Sequence, residues 1–291
     1  MNELPKYSYR SSIKSGESDE WINTYLLRPI AGILVRGLYR TRVTPNQLTV
    51  AAICVGFVAA FLYAGSGPVP TLLAGLCVTG KDLLDSADGQ LARAKQAYSR
   101  AGRFLDSIGD IAVNFAIFMA IGISLQHARQ EPLLDVLAMA AFAGLTLRVS
   151  YHVFYHTSAL HLHRTYAINR RSEEMTPEDR TEDATTRRLH AAYLALYGWQ
   201  DNAMARLDAF CRRGLGNGAF TDQAWYCDTV GLRLSGLMGM GTELFLLTAF
   251  SVGNRLEWYL WVNVCGMNAL WLATVVYRRF VLARRLSRSH S

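Results

Sequence analysis

Charge is what this chain has little of. Only 18% of its 291 residues are Asp, Glu, Lys or Arg, against 51% hydrophobic residues, and the mean hydropathy is +0.11. A soluble domain of this length would carry more charge, so the composition argues for a polytopic membrane protein. Cysteine is sparse and scattered: Cys54, Cys77, Cys211, Cys227 and Cys265 are odd in number and form no CxxC pair. Neither a disulfide framework nor a thiolate metal site is supported by that pattern. Three of the five lie inside apolar runs, where they are expected as small core hydrophobes. The opening residues 1–6 lack an apolar core, so no cleavable signal peptide is expected and the first apolar span must direct insertion. Basic residues are in excess, to a net charge of +7. They gather at the ends of apolar runs and form no aromatic-interleaved groove, which points to membrane topology and away from nucleic acid.

What the chain does have is a series of long apolar runs. Between about residues 20 and 39, Trp21, Leu26, Leu27, Ile30, Leu34 and Leu38 recur at helical spacing on one side, with Arg28, Arg36 and Arg40 on another. Such a pattern predicts an amphipathic helix lying in the membrane interface. Thr44 can then cap a new helix whose first position is Pro45, where a missing N–H costs nothing. Residues 48–64 can cross the membrane, since ~20 residues rising 1.5 Å each match a hydrocarbon core of ~30 Å. A turn at 65–68 leads into a second helix, from about 69 past Arg93. Further spans are expected at about 101–126, 133–154, 230–252 and 258–276. Residues 161–228 are polar and charged, a hydrophilic insertion in which 189–210 has the period of an outlying helix. The predicted fold is therefore all-α: an integral membrane bundle of six transmembrane helices preceded by an N-terminal amphipathic interfacial helix. Residues 1–42 form the polar and juxtamembrane segment, and 43–291 the six-span domain with its insertion.

The distribution of Lys and Arg tests this count. The N-terminus, the 93–103 connection, the 161–228 insertion and the C-terminus are rich in them, whereas the connections 65–68, 127–131 and 253–257 hold none, Arg129 and Arg255. All seven segments agree with both termini in the cytoplasm. The same assignment puts the stretch 82–110 at the cytoplasmic surface.

That stretch carries the chemistry. Asp85, Asp88, Gly89, Ala92, Arg93, Gly102, Asp106 and Asp110 interrupt sequence that should be buried in lipid, where acidic residues are costly and mark function by default. Asp85, Asp88 and Ala92 share one helix face, and Gly102, Asp106 and Asp110 line up four apart on the next helix. Two antiparallel helices would turn four carboxylates toward one space. Four such charges require counter-cations, and oxygen-only ligands suit Mg²⁺ or Mn²⁺. A pair of these ions is a known device for polarising phosphoryl groups. Gly89, Ala92 and Gly102 remove bulk beside the acids, and Arg93 could pair with a phosphate.

The spacing matches, without a gap, the signature DxxDGxxARx8GxxxDxxxD, eight fixed positions over 26 residues. In it the chain resembles the CDP-alcohol phosphotransferase (CDP-alcohol phosphatidyltransferase) family. The lead-in from Thr44 to Thr49 is also similar to that family's entry to its first span, and six spans is the family's usual count. The resemblance implies transfer of a substituted phosphate from a CDP-alcohol to an acceptor alcohol, with release of CMP, in phospholipid biosynthesis. Carried over position by position, it implies Asp85, Asp88, Asp106 and Asp110 as ligands of two Mg²⁺ or Mn²⁺ ions. Asp110 is also the implied general base, and Gly89, Ala92, Arg93 and Gly102, with Asn46 and Thr49 of the lead-in, are implied at the CDP portion. A homodimer is implied as well. Whether the lipid sits on the CDP side or is the acceptor stays open. The reading from another class is a metal-ion or small-solute transporter that uses the four carboxylates as an ion site.

Other polar residues compete for roles. His152, His156, His161 and His163 have a spacing that could ligate zinc, or mark a headgroup interface. Arg148, inside the fourth span, could bind a phosphate or the acceptor, or snorkel. Glu243, Asn263 and Asn268 could line an acceptor cavity or make helix-to-helix hydrogen bonds. Gly236, Gly239 and Gly241 form a small-residue face suited to close packing or to a dimer seam. Lys81 and Asp82 lie one turn ahead of the signature and could tune the site.

Overall fold

The computed structural model describes residues 7–12, 20–162, 181–213 and 222–288. Lys6, Lys14, His163 and the acidic and basic residues expected at 164–180 lie outside them. Every regular element among the described residues is helical. A short α1 (Tyr9–Ser12) comes first. A π-helical turn at Asn23–Leu27 runs into α2 (Arg28–Leu38). Three long helices follow: α3 (Pro45–Ala64), α4 (Pro68–Lys95) and α5 (Arg100–Arg129). The chain continues through α6 (Leu133–Leu162), α7 (Ala184–Arg212), α8 (Asp222–Tyr226), α9 (Thr229–Gly236) and α10 (Met240–Val252). The last stretch joins α11 (Leu256–Trp261), α12 (Asn268–Val276) and α13 (Ala283–Arg288) through two more π-helical turns.

Among the described residues, five stretches are long and apolar enough to cross a membrane: Pro45–Ala64, Arg100–Arg129, Leu133–Leu162, Asp222–Val252 and Leu256–Ser287. The expected count was six. The helix that differs is α4, whose 28 residues include Lys81, Asp82, Asp85, Asp88, Arg93 and Lys95, too many charges for a purely apolar span. It is nonetheless central, packing against α2, α3 and α10.

Local chemistry sets these boundaries. The Thr44 hydroxyl accepts from the Gln47 N–H at 3.3 Å while the Gln47 side chain accepts from the Thr44 N–H at 2.9 Å. With Pro45 at the first position, α3 opens on a capping box. Ser99 caps α5 by accepting from the Gly102 N–H at 3.1 Å. Asp183 caps α7, accepting from the Thr186 hydroxyl and from the Thr186 and Thr185 N–H groups. Those bonds, the Thr186 hydroxyl first, hold its carboxyl below the usual range.

Helix α2 differs from the expected amphipathic pattern in which side is inside. Leu27, Ala31 and Val35 are buried against α4, and Arg28, expected on the polar side, is buried with them. Trp21, Leu26, Ile30 and Ile33 face outward. Cys54 and Cys265 also face outward, whereas Cys211 is enclosed. The surface of a bundle in lipid carries no hydrophobic penalty, so apolar residues occupy both sides.

The long helix described within the insertion is docked rather than outlying. Helix α7 packs along α5 and α6. Phe104 of α5, fully buried, stacks on His190 with centroids 4.8 Å apart, and Tyr193 tilts against it at 5.3 Å. Deeper in, Asp208 accepts from the Tyr155 hydroxyl (2.9 Å), the Trp225 indole (2.8 Å) and the Tyr226 hydroxyl (2.9 Å). One carboxylate thereby joins α6, α7 and α8. Arg278, in the last π-helical turn, lies 3.6 Å over the Tyr155 ring and donates to the Trp225 carbonyl.

Arg148 has no exposure, and its environment answers the question its position raised. Its guanidinium donates to Glu243 at 2.7 Å, to the Asn268 side chain at 2.6 Å and to the Asn263 side chain at 2.9 Å. Asn263 in turn donates to Glu243 at 2.9 Å. The set ties α6, α10 and the last span together with its polar atoms mutually satisfied, which is the helix-to-helix role rather than an acceptor cavity. Gly239 and Gly241 are likewise occupied: a Cβ at either would strike the Glu20 carboxylate, which accepts from the Gly241 N–H at 2.7 Å. Glu20 thus supplies an anion at the start of α10, where the helix dipole favours one.

Removing one partner of a buried ion pair strands the other charge. Glu243→Ala is expected to destabilise the protein by about 3–5 kcal/mol, read as a lowered unfolding temperature in detergent. Arg148→Met with Glu243→Leu should fall nearer the wild type than either single truncation.

Candidate active site

Helices α3, α4 and α5 approach one another closely. A Cβ on Gly56 of α3 would strike Val113, and one on Gly109 of α5 would strike Ile53. The glycines therefore let the helix that carries Asn46 and Thr49 lie directly on the one that carries Asp106 and Asp110.

Within this wedge the carboxylates of Asp85, Asp88 and Asp106 each bring one oxygen to within 4.8 Å of the others. Asp88 is buried, and Asp85 and Asp106 are partly so. The Thr49 hydroxyl, from α3, donates to Asp88 Oδ2 at 2.5 Å and so turns that carboxylate's other oxygen free for a ligand. Asp110, the fourth acid of the signature, is engaged by a cation. Its Oδ1 accepts from the Lys81 ammonium, and Lys81 is only 2% exposed. The four acids thus divide into three that share a space and one already matched by a cation.

Donor chemistry and space both suit a divalent metal. Three carboxylate oxygens from two helices supply the hard, anionic set that Mg²⁺ or Mn²⁺ takes, while leaving positions for substrate or water. Beside them, a Cβ at Gly102 would collide with Asn46 Oδ1. Asn46 and Gly102, distant in sequence, therefore meet at the mouth of the site.

The remaining signature residues are arranged differently from expectation in one respect. The Arg93 side chain folds back over Gly89, 3.5 Å from where a Cβ would stand. Its Nε donates to the carbonyl of Ser12 at 2.6 Å, so part of the group expected to meet a phosphate holds the N-terminal segment. Ala92 is half-buried, and its carbonyl accepts from the Ala97 N–H where α4 ends in a left-handed residue, Gln96. His152 and His156 stack at 5.4 Å, and His152 lies 3.8 Å from the Glu20 carboxylate. They form no metal-ligating cluster among the described residues, where Asp85, Asp88 and Asp106 do.

Two neighbours of the site escaped the sequence reading. Tyr197 of α7 donates to the Ser107 carbonyl at 2.8 Å, between the two acids of α5. His190 supports the same helix through Phe104. The available signal was the aromatic stripe His190, Tyr193 and Tyr197 at helical spacing in the insertion. Lys81 was visible only as a residue one turn ahead of Asp85.

A further test concerns the narrow meeting of α3 and α5. Gly102→Ala should destabilise the protein by about 1–3 kcal/mol through overpacking against Asn46, measured by thermal unfolding. Asn46→Ala combined with it should recover most of that loss.

Comparison with known proteins agrees with this geometry. The CDP-alcohol phosphatidyltransferase family profile matches residues 42–206. The chain is 35% identical over 143 residues to a protein of Thermococcus kodakarensis named bifunctional IPC transferase and DIPP synthase. That stretch is 49% of this chain and 31% of the relative. A protein of the same name from Aquifex aeolicus is 34% identical over 126 residues, 43% of this chain and 28% of that one. The inner membrane protein YnbA of Escherichia coli is 28% identical over 100 residues, 33% of this chain and half of YnbA. The chain spans under a third of the length of the first two relatives. With five membrane-length helices among the described residues and the full acidic signature, the chain is a multi-pass membrane protein of the CDP-alcohol phosphatidyltransferase family.

Proposed function

We propose that the protein is a membrane-embedded phosphotransferase of phospholipid biosynthesis, moving a substituted phosphate from a CDP-alcohol to an acceptor alcohol and releasing CMP. The observation that carries this reading is the convergence of Asp85, Asp88 and Asp106 oxygens within 4.8 Å inside the stretch that matches the family. Six spans are proposed, with α4 as the second, both termini cytoplasmic, and the site at the cytoplasmic end.

Asp85, Asp88 and Asp106 would hold divalent metal, with Asp110 as the fourth carboxylate of a two-ion site. Bound Mg²⁺ or Mn²⁺ supplies charge to offset the pyrophosphate and the departing CMP. Thr49, through its hydroxyl on Asp88, fixes the orientation of one ligand. Gly89, Ala92 and Gly102 keep the helix faces low enough for the cytidine and phosphates to approach backbone, with Asn46 beside Gly102. Arg93 is placed to reach the donor's phosphates once its contact with Ser12 is exchanged. Asp110 takes the proton of the acceptor hydroxyl as the new P–O bond forms. The P–O bond to CMP breaks, and CMP leaves with the electron pair.

Three supports favour an enzyme over an ion transporter. The acids lie toward a helix end, the small residues Gly89 and Gly102 flank them, and Thr49 and Asn46 converge there from α3. Both the lipid-donor and the polar-donor versions use this same machinery. In the first, CDP-diacylglycerol meets a polar alcohol. In the second, a CDP-linked head group meets a lipid alcohol.

Purified full-length protein, given Mg²⁺ or Mn²⁺, a panel of CDP-alcohols and a lipid extract, should release CMP only with metal present. Asp110→Asn should slow release on the order of 10²–10⁴-fold, and Asp106→Asn should reduce it to background. Absence of CMP with every pair, or undiminished release by Asp106→Asn, would sink the proposal. Metal uptake into proteoliposomes without CMP would favour the transporter instead. For topology, cysteines placed at Ser66 and Tyr98 should react with impermeant reagent from opposite sides of the membrane; labelling from one side would remove α4 as a span.

A further inference from the structure

We infer that Lys81 is a built-in counter-cation of the carboxylate site, a positioning residue that engages Asp110 and weakens the site's hold on divalent metal. The inference rests on the reading of this site as a metal-assisted phosphotransferase.

A lysine 2% exposed within a membrane helix is costly unless its charge is matched. Lys81 springs from α4 one turn before Asp85, and its ammonium crosses to α5 to bond Asp110 Oδ1. Nearer acids are available: Asp82, also buried, is the next residue, and Asp85 lies one helical turn away. The hydrogen bond nonetheless goes to the far end of the signature. The consequence is the division already described, in which Asp85, Asp88 and Asp106 bring oxygens within 4.8 Å of one another while Asp110 is the acid that takes the ammonium.

Charge counting gives the effect its direction. Four ionised motif carboxylates carry −4, and Lys81 reduces this to −3. A divalent cation entering the site meets a positive charge that a bare tetrad would lack. That repulsion serves turnover, since a site that must release CMP with each cycle gains nothing from holding its ions as tightly as four carboxylates permit. Lys81 also fixes which way the Asp110 carboxylate faces, leaving one oxygen bonded and the other for the acceptor hydroxyl. The neighbouring cations have other engagements: Arg93 donates to the Ser12 carbonyl, and Lys95 to the carbonyls of Thr41 and Val43.

Mn²⁺ binding without substrate tests this directly. Titrating detergent-purified protein and reading free Mn²⁺ by electron paramagnetic resonance, Lys81→Met is expected to tighten binding on the order of tenfold or more, while CMP release at saturating metal falls. Lys81→Arg keeps the charge and should stay within about threefold of wild-type affinity. The double variant Lys81→Met with Asp110→Asn restores the wild-type count of −3, so its affinity should return toward wild type. Replacing both members of a buried pair is also tolerated better than removing one, so the double variant and Lys81→Arg decide the matter if the single variant does not fold. Unchanged or weaker Mn²⁺ binding in a folded Lys81→Met, or a double variant that binds as tightly as the single one, would overturn the inference. In either case wild-type protein that still binds Mn²⁺ and releases CMP leaves the proposed function standing. Wild-type protein that does neither removes both.

Discussion

Mutual repulsion of carboxylates across one helix pair is the constraint to which the rest of this structure answers. At about 4 Å, two like charges oppose each other by roughly 4 kcal/mol at an effective dielectric of about 20, and the signature gathers four acids. Three arrangements meet that cost. The Thr49 hydroxyl of α3 donates to Asp88, the Lys81 ammonium bonds Asp110, and the three remaining oxygens leave a space suited to a divalent cation. The first of these comes from α3, which lies tightly on α5 because Gly56 and Gly109 permit it.

The second buried charge is handled in the opposite way. Arg148 meets Glu243, Asn263 and Asn268 in a closed set that bolts three elements of the bundle. A satisfied network of this kind has no capacity left for a ligand, and it rigidifies the helices it joins. The carboxylate site, by contrast, has acceptors in excess of its donors. Stability and chemistry are thereby separated: one polar cluster is complete and the other is left wanting cations.

Much of the site could be read in the residues themselves, because acids at spacings of three and four on two successive helices must share faces. The caps at Thr44 and Pro45 were legible for the same local reason. The interior of α2 was not. Arg28 turns inward, and Trp21 and Ile30 turn out, because in lipid an apolar side chain gains little by choosing the protein side. Helical periodicity then no longer tells inside from outside. The docking of α7 was not legible, because it rests on aromatic pairs, such as Phe104 with His190, that unite residues far apart in sequence. Arg148 could be recognised as a costly charge, but its partners come from helices that only folding brings near.

The sequence by itself determined the helical class, the membrane setting and the family chemistry, since hydropathy and a gapless signature are local properties that neighbouring residues carry together. Tertiary structure alone decided how the four acids are shared out. It set three around one space and gave the fourth to Lys81. It also gave Arg93 to the Ser12 carbonyl and Arg148 to Glu243. A charge finds its partner through space, and in a bundle whose helices cross at close range the nearest partner in space is seldom the nearest along the chain.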